Sequence, residues 1–575
     1  MSSPSEPCVE PRDRALDDAV FALDHHHGVP VRELTELLGG KGAGLAEMTA
    51  LGLDVPPGFT IALPVFRRWR HGGWPPSLDA VVAAHVAALG QRMGRRLGDP
   101  DDPLLLSVRS GAAVSMPGML DTVLDLGLND DTVRGLARAT GDDAFAEDSH
   151  RRFLRMYATI VMGVSVEALA DAEDARTLQR RITELAGRPV PHDPEQQLRE
   201  AIAAVFASWD SERARAYRAR DGIDDDAGTA VTVQAMVFGN RGPRSGTGVV
   251  FTRDPATGAP GPYGDYLVRG QGEDVVDGSA HPVPVRDLAD LDPQVYVDLM
   301  AALRRLEAHY RHVCDVEFTV EEGRLWFLQT RAGKLSAVAA VRTAVDLVDD
   351  PEVALTPEEA VARVPEEVRE RARLDLETGG AGSATEHGDD ADGAAAGGPL
   401  LVTGLGASPG IVTGAVVFSS EAALAADGDV VLVRRETSPK DVVGMSAAVA
   451  IVTCRGGLAS HAAVVARGWG VPAVVGAGDL VLAGAGDDTT ATGPSGVVVR
   501  VGDVVTVDGA SGRVWVGAAG AATGDGSGTD AGDASSGTAT AASDGAGAPV
   551  PPDRGGDRAA ALRALERLDT WAAGR

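Results

Sequence analysis

The stretch Arg455-Gly456-Gly457-Leu458-Ala459-Ser460-His461-Ala462-Ala463-Val464-Val465-Ala466-Arg467-Gly468 sets one histidine where a glycine-rich turn gives way to an Ala/Val-rich helical run, with an arginine on either side. The first turn of a helix has backbone N–H groups without intrahelical partners and the positive end of the macrodipole, which together suit an anion. An imidazole nitrogen can act as a nucleophile and carry a covalent group. The stretch therefore reads as a histidine built to hold a phosphoryl group. The alternative reading is a histidine that caps a buried helix.

The chain around it has 575 residues, enough for about three or four domains of roughly 150 residues. An apolar fraction of 44% allows sizeable cores. Lys and Arg number 53 against 83 Asp and Glu, a net charge of −30, which argues against a nucleic-acid-binding surface because phosphate backbones need a basic footprint. A nucleotide needs only a few local cations, so nucleotide binding stays open. Cys8, Cys314 and Cys454 are far apart, without disulfide or zinc spacing, and fit a reducing, cytoplasmic setting. No basic-then-apolar leader and no membrane-spanning run is present, so neither export nor a membrane is expected. His25-His26-His27 sits in a polar turn with no carboxylate or cysteine partner and reads as a solvated loop rather than a metal site.

Residues 1–20 read as a flexible N-terminus. From 21 to 335 short β-rich runs, such as Leu104 to Val108, Ala230 to Val237 and Leu325 to Gln329, alternate with amphipathic helices, implying an α/β or α+β body. Residues 336–376 read as a helical connector, with Thr356 as N-cap and Pro357 at the first helical position. Residues 377–398 are Gly/Ala/Asp-rich and are expected to be a flexible linker. A second domain, 399–517, is dense in Val, Gly and short strands and contains His461. A low-complexity tail, 518–555, precedes a terminal helix within 556–575.

Four stretches of the first domain suit a nucleotide's phosphates. Leu38 to Met48 reads as a Gly-rich loop opening a helix, with Lys41 inside it and without the Gly-Lys-Ser/Thr order of a Walker loop. Arg109 stands just past a strand, where it can reach a phosphate or make a surface ion pair. Ser245-Gly246-Thr247-Gly248 reads as a loop between strands, able to fold over phosphates or simply to turn. Asp315 and Glu317 share a strand face, as do Gln329 and Arg331. Their oxygens suit Mg²⁺, and Arg331 suits charge developing in phosphoryl transfer. Each pair by itself also fits an exposed strand face.

In this order the motifs resemble the pyruvate, phosphate dikinase family across roughly residues 20–517. The longest matching stretches are Ser107 to Asp130, Gly228 to Gly278, Asp315 to Lys334 and Gly404 to Gly470. The resemblance implies a multidomain α/β and α+β chain with an ATP-grasp-like nucleotide-binding domain, a helical linker, a swivelling phosphohistidine domain and a disordered acidic tail. It implies that ATP passes its β,γ-pyrophosphoryl group to His461, releasing AMP, and that inorganic phosphate then removes the γ-phosphoryl as pyrophosphate, leaving a phosphohistidine. The phosphoryl would be destined for pyruvate, forming phosphoenolpyruvate. Carried over by motif, Lys41 and Arg109 hold phosphates, Arg331 stabilises transfer, and Ser245 to Gly248 cover the phosphates. Glu317 and Gln329 meet the metal, and Asp315 lies by the nucleotide. Arg455 and Arg467 would assist the loaded histidine. Mg²⁺ with ATP is the implied cofactor, with a monovalent cation as a secondary expectation.

Two departures from the family pattern stand out. Ala459 replaces the Thr or Ser usual two residues before the histidine, removing a hydroxyl worth about 1 kcal/mol and a regulatory phosphorylation site, although Ser460 remains. After Val514-Trp515-Val516-Gly517 no segment of roughly 250 residues follows to build the family's pyruvate-binding barrel. A separate barrel protein is therefore an expected partner, with the acidic tail and last helix as its docking element. Competing readings are a non-catalytic ATP-binding or regulatory remnant and a related phosphotransferase with another acceptor.

Overall fold

A computed structural model describes residues 19–574 other than 115, 117, 273, 275–281, 379–397, 438–440, 459, 485 and 519–553. Ala459 and most of the N-terminal segment, the linker and the tail expected above lie outside the described residues.

Two antiparallel five-stranded sheets build the first part of the chain. The first comprises β1 (Val20–Ala22), β2 (Gly58–Ile61), β3 (Leu106–Ala112), β4 (Thr122–Leu126) and β5 (Thr229–Ala235), in the order β1-β2-β5-β3-β4. The second comprises β6 (Gly246–Arg253), β7 (Pro260–Val268), β8 (Val283–Pro284), β9 (Cys314–Glu321) and β10 (Arg324–Ala332), in the order β8-β7-β6-β9-β10. Each sheet carries its own helical layer and core. Helix α2 (Asp143–Ile160) and helix α3 (Pro194–Ala207) begin at Asp142 and Asp193, whose carboxylates accept backbone N–H groups of the first turn. Their Phe153, Tyr157, Ile202 and Phe206 bury against Leu106, Val108 and Val233 of the first sheet. Helix α4 (Pro293–Tyr310) buries Leu299, Leu303 and Leu306 on Val316 and Phe318 of the second.

Helix α1 (Val31–Ala50) touches both sheets. It is broken only at Gly39 (φ 69°, ψ 167°), so Lys41 lies within helix and not in the loop that its neighbouring glycines suggest. Those glycines serve close approach: a Cβ on Gly39 would lie 1.7 Å from the Gly111 carbonyl oxygen of β3, and one on Gly44 3.1 Å from that of Thr330 in β10. The expected loop at Ser245 to Gly248 is likewise the start of strand β6. A Cβ on Gly246 would meet the Tyr266 hydroxyl at 2.3 Å, and one on Gly248 the Phe318 ring at 2.6 Å. The two rings are stacked at 3° with centroids 6.0 Å apart, so these glycines make room for aromatic packing. Arg109 stands inside β3 rather than past its end.

The connector is three helices, α5 (Ala337–Asp349), α6 (Pro357–Arg363) and α7 (Glu366–Thr378). Helix α6 opens on a reciprocal capping box between Thr356 and Glu359, with Pro357 in the first turn. The second domain is built on an eight-stranded mixed sheet of β11 (Leu400–Thr403), β12 (Leu405–Ser408), β13 (Ile411–Val417), β14 (Val430–Arg434), β15 (Ala450–Thr453), β16 (Ala473–Val475), β17 (Val504–Asp508) and β18 (Arg513–Val516). Its order is β11-β18-β17-β13-β14-β15-β16-β12, and the pairs β13–β14, β14–β15 and β15–β16 are parallel. Helix α8 (His461–Trp469) lies on one face, with Ala462, Ala463, Val465 and Ala466 buried against Leu432, Ile451 and Val475.

Helix α9 (Arg554–Ala573) packs on α5, α6 and α7, burying Ala561, Ala564, Leu565 and Leu568. Arg342–Asp557 (2.7 Å), Arg373–Asp569 (2.6 Å) and Arg567–Asp349 (2.6 Å) flank that seam. The last helix, expected with the acidic tail to dock a separate barrel, thus has its buried face covered by the chain's own connector. No helix among the described residues is long and apolar enough to cross a membrane.

Connector and second sheet are joined by a buried ion pair. Arg253 of β6 donates Nε and Nη2 to the two oxygens of Glu307 in α4 at 2.8 and 3.0 Å, and Nη1 to Asp346 of α5 at 3.1 Å. Arg253 and Glu307 are 6% and 5% exposed, so removing Arg253 leaves the buried Glu307 carboxylate with only the more exposed Arg304, 3.7 Å away, as a counter-charge among the described residues. Arg253→Ala should cost about 3–5 kcal/mol in chemical denaturation, whereas the paired change Arg253→Met with Glu307→Leu should cost far less.

Candidate functional site

One cavity of about 1010 Å³ lies between the two five-stranded sheets, and the first turn of α8 with the segment after β14 borders part of it. Met116, Leu120, Leu124, Met156, Met236 and Val237 contribute an apolar wall. Lys41, Arg109, Glu317 and Arg331 contribute charge and Gln329 an amide, and Glu436, Thr437, His461 and Val464 reach in from the second domain.

The charged group owes its arrangement to strand register. In the antiparallel ladder of β9 and β10, Asp315 pairs with Arg331 and Glu317 with Gln329, so alternation brings all four to one face. Arg109 reaches across from the first sheet and donates to the Leu328 carbonyl at 2.9 Å, to Glu317 at 3.2 Å and to Gln329 Oε1 at 3.4 Å. Arg331 donates Nε to Asp315 at 2.5 Å and stands 3.4 Å from the other Glu317 oxygen.

Three cations here face two carboxylates. Burial pushes the Lys41 ammonium well below its usual range, and Arg109 and Arg331 add to that against the pull of Glu317. Burial also lowers Arg109, with Glu317 pulling the other way and Arg331 adding to the drop. Burial would raise Glu317, yet Arg331, Arg109 and Lys41 outweigh it and hold the carboxyl below its usual value. Burial opposes the charge on Arg331 too, but Asp315 and Glu317 keep it more firmly protonated than an ordinary arginine. A polyanion bound here would favour the charged form of Lys41 and so meet three cations against two carboxylates.

Not every expected residue faces the cavity. Asp315 is 4% exposed and does not line it; its place is behind Arg331. Ser245 bonds away, donating to the Arg241 carbonyl and accepting from the Glu322 N–H, and Gly246 packs on Tyr266. Only Thr247 and Gly248 of that stretch reach the cavity, with the Thr247 hydroxyl 3.1 Å from the Phe318 carbonyl oxygen. Arg467 spends its guanidinium on the carbonyls of Ala407 (2.9 Å) and Leu458 (2.6 Å), and Arg455 stands 3.8 Å from Glu436.

His461 is the first residue of α8, just after the loop that leaves the carboxyl end of β15. Gly456 (φ 101°) allows that turn, since a Cβ there would lie 2.8 Å from the Ser460 Cβ. Thr437, beyond the carboxyl end of the adjacent parallel strand β14, puts its hydroxyl 3.4 Å from Nδ1 of His461. Nε2 is buried with no hydrogen-bond partner among the described residues. Burial pushes His461 down to about 4, against the opposing pull of Asp441. The imidazole is therefore neutral near pH 7, the form with a free lone pair.

Sequence reasoning missed Glu436 and Thr437. The signal was available: residues at the carboxyl ends of adjacent parallel strands converge on a ligand crevice. For a divalent cation, Glu317 of β9 and Gln329 of β10 offer a carboxylate and an amide oxygen on one face of the sheet, hard donors of the kind that suit Mg²⁺. No cluster of three or more His, Cys, Asp or Glu able to hold a metal occurs among the described residues.

Residues 70–290 match the family described as pyruvate phosphate dikinase, AMP/ATP-binding domain, and residues 426–512 match that of the PEP-utilising enzyme, mobile domain. Pyruvate, phosphate dikinase 2 of Zea mays is 44% identical over 513 residues, covering 84% of this chain and 56% of the relative. Pyruvate, phosphate dikinase of Clostridium symbiosum is 42% identical over 512 residues, and that of Rhizobium meliloti (strain 1021) 44% over 519, each with the same coverages. The chain spans about half the length of the curated relatives it matches.

A lowered histidine pKa has a thermodynamic counterpart. Between about 4 and the unfolded value near 6.5, the unfolded chain binds the proton that folded His461 refuses. This histidine's contribution to stability is thus lost as pH falls through that window. The His461 ring resonances should show no titration from pH 8 to 5.5, and His461→Asn should flatten the acid side of the stability profile.

Proposed function

Because the chain belongs to the pyruvate, phosphate dikinase family, we propose that it loads a phosphoryl group from ATP onto His461. The observation that carries this reading is the unpartnered Nε2 of a neutral, buried histidine in the same cavity as Lys41, Arg109, Glu317, Gln329 and Arg331. The two sheets and the cleft between them act as an ATP-grasp-like nucleotide site, and the domain bearing His461 as a swivelling carrier.

The nucleoside occupies the apolar end near Met156, Met236 and Val237, and the triphosphate runs toward the cations. Nδ1 of His461 keeps its proton toward the Thr437 hydroxyl, leaving the Nε2 lone pair free. Nε2 attacks the β-phosphorus; the bond from that phosphorus to the oxygen bridging the α-phosphorus breaks, and AMP leaves with that oxygen. Inorganic phosphate then attacks the γ-phosphorus of the pyrophosphoryl-histidine. Pyrophosphate departs and the β-phosphoryl stays on Nε2. Arg331 and Arg109, fixed by Asp315, Glu317 and the Leu328 carbonyl, meet charge shifting between phosphates without having to reorganise. Mg²⁺, held between Glu317, Gln329 and the phosphates, would neutralise charge on the transferred group.

The phosphoryl is destined for pyruvate, giving phosphoenolpyruvate, on a barrel domain supplied in trans. Incubation with Mg²⁺, phosphate and β-³²P-labelled ATP should give acid-labile label on the wild-type protein and none on His461→Asn. Arg331→Ala should slow labelling by roughly 100-fold or more while ATP still binds. ATP binding without any label would leave a nucleotide-binding module and sink the transfer reading.

A further inference from the structure

Arg467 takes no part in the phosphate cluster, yet it is 8% exposed, and such a buried cation needs a reason. On its own domain it clamps two carbonyls. Nη2 donates to Leu458, three residues before His461, and Nη1 to Ala407 at the end region of β12. Its guanidinium also lies 5.3 Å from the centroid of Phe251, a residue of β6 in the nucleotide half. Phe251 is the ladder partner of Asp315 on β9, and Asp315 is the carboxylate that holds Arg331.

The surroundings on that side are acidic. Burial lowers the pKa of Arg467, while Tyr263, Asp315, Asp254 and Asp265 together oppose that drop. The loop that Arg467 clamps lies directly on this surface, since a Cβ on Gly457 would stand 2.2 Å from an Asp265 oxygen. One oxygen of Asp315, Oδ1, is buried without a hydrogen-bond partner among the described residues. The same guanidinium therefore shapes the histidine loop and sits where the nucleotide half concentrates negative charge behind Arg331.

We propose that Arg467 is a positioning residue that couples seating of the histidine domain on the nucleotide half to the geometry of the His461 loop. Its hydrogen bonds to Leu458 and Ala407 set the loop, and its contact with Phe251 inside the acidic ring sets the seat. Asp315 joins that ring to Arg331, so seating and the transfer cation share one carboxylate.

The test uses Arg467→Gln, Arg467→Lys and, from the other side of the contact, Phe251→Leu in the full chain. The rate part rests on the reading of His461 as the acceptor; the seating part does not. Under saturating labelled ATP and phosphate, Arg467→Gln should slow labelling of His461 by roughly 10- to 100-fold, the effect of losing charge-assisted hydrogen bonds, with Arg467→Lys between it and wild type. Phosphoramidate, a small phosphoryl donor that needs no nucleotide site, should label His461 in Arg467→Gln at least as fast as in wild type. Hydrogen–deuterium exchange should rise both in residues 455–460 and in β6 for Arg467→Gln and for Phe251→Leu. Labelling from ATP at the wild-type rate in Arg467→Gln would overturn the coupling, as would a parallel loss with ATP and phosphoramidate. Unchanged exchange in β6 would overturn it too. If wild type takes no label from ATP, the proposed function falls while the exchange measurement still decides the role of Arg467.

Discussion

Arg109 stands in the middle of one sheet and spends its guanidinium on the other. Its hydrogen bonds to the Leu328 carbonyl, Glu317 and Gln329 are the polar tie across the cleft, and they are made in a site where burial disfavours charge. A cation held so firmly against an incomplete set of anions is poorly neutralised by protein alone, which leaves the cleft in want of a polyanion. Helix α1 adds to this by running between the sheets with Lys41 turned into the same cavity, and its glycines let it pass close to both. The lobes, the cavity between them and its charge thus depend on one cross-strand arrangement.

The histidine domain adds no formal charge of its own to that cavity at His461. His461 is uncharged near neutrality because burial outweighs the pull of Asp441, and it arrives on a helix N-terminus whose backbone N–H groups favour an anion. In the proposed transfer, a neutral imidazole would add nothing to the charge of Lys41, Arg109 and Arg331, so it could approach phosphates held there without displacing them.

Much of this was legible in the chain. Period-two alternation in Asp315-Val316-Glu317 and Gln329-Thr330-Arg331 put four polar side chains on shared faces, and register did the rest. The Thr356-Pro357 start of α6 was readable because a capping box is local chemistry. Glycine was harder to read. At Gly39, Gly44, Gly246 and Gly248 the residue answers a neighbour distant in sequence, a carbonyl or an aromatic ring, and nothing in the local pattern separates that from a phosphate loop. Thr437 escaped notice for a related reason, since its meaning comes from β14 lying beside β15. The seat of helix α9 was likewise hidden, because an amphipathic helix states that it needs a partner and not which one.

The packing of α9 on α5, α6 and α7 has a topological consequence. The chain leaves this bundle at Thr378 and returns to it at Arg554, so everything between is in effect one long insertion anchored at both ends on the same helices. Insertions are tolerated where entry and exit lie together, because the host core closes without them. A cassette of this kind can be exchanged for a homologous one without disturbing the host. Tension applied between the two termini would strip α9 from its three partners before it stretched the domain that holds His461.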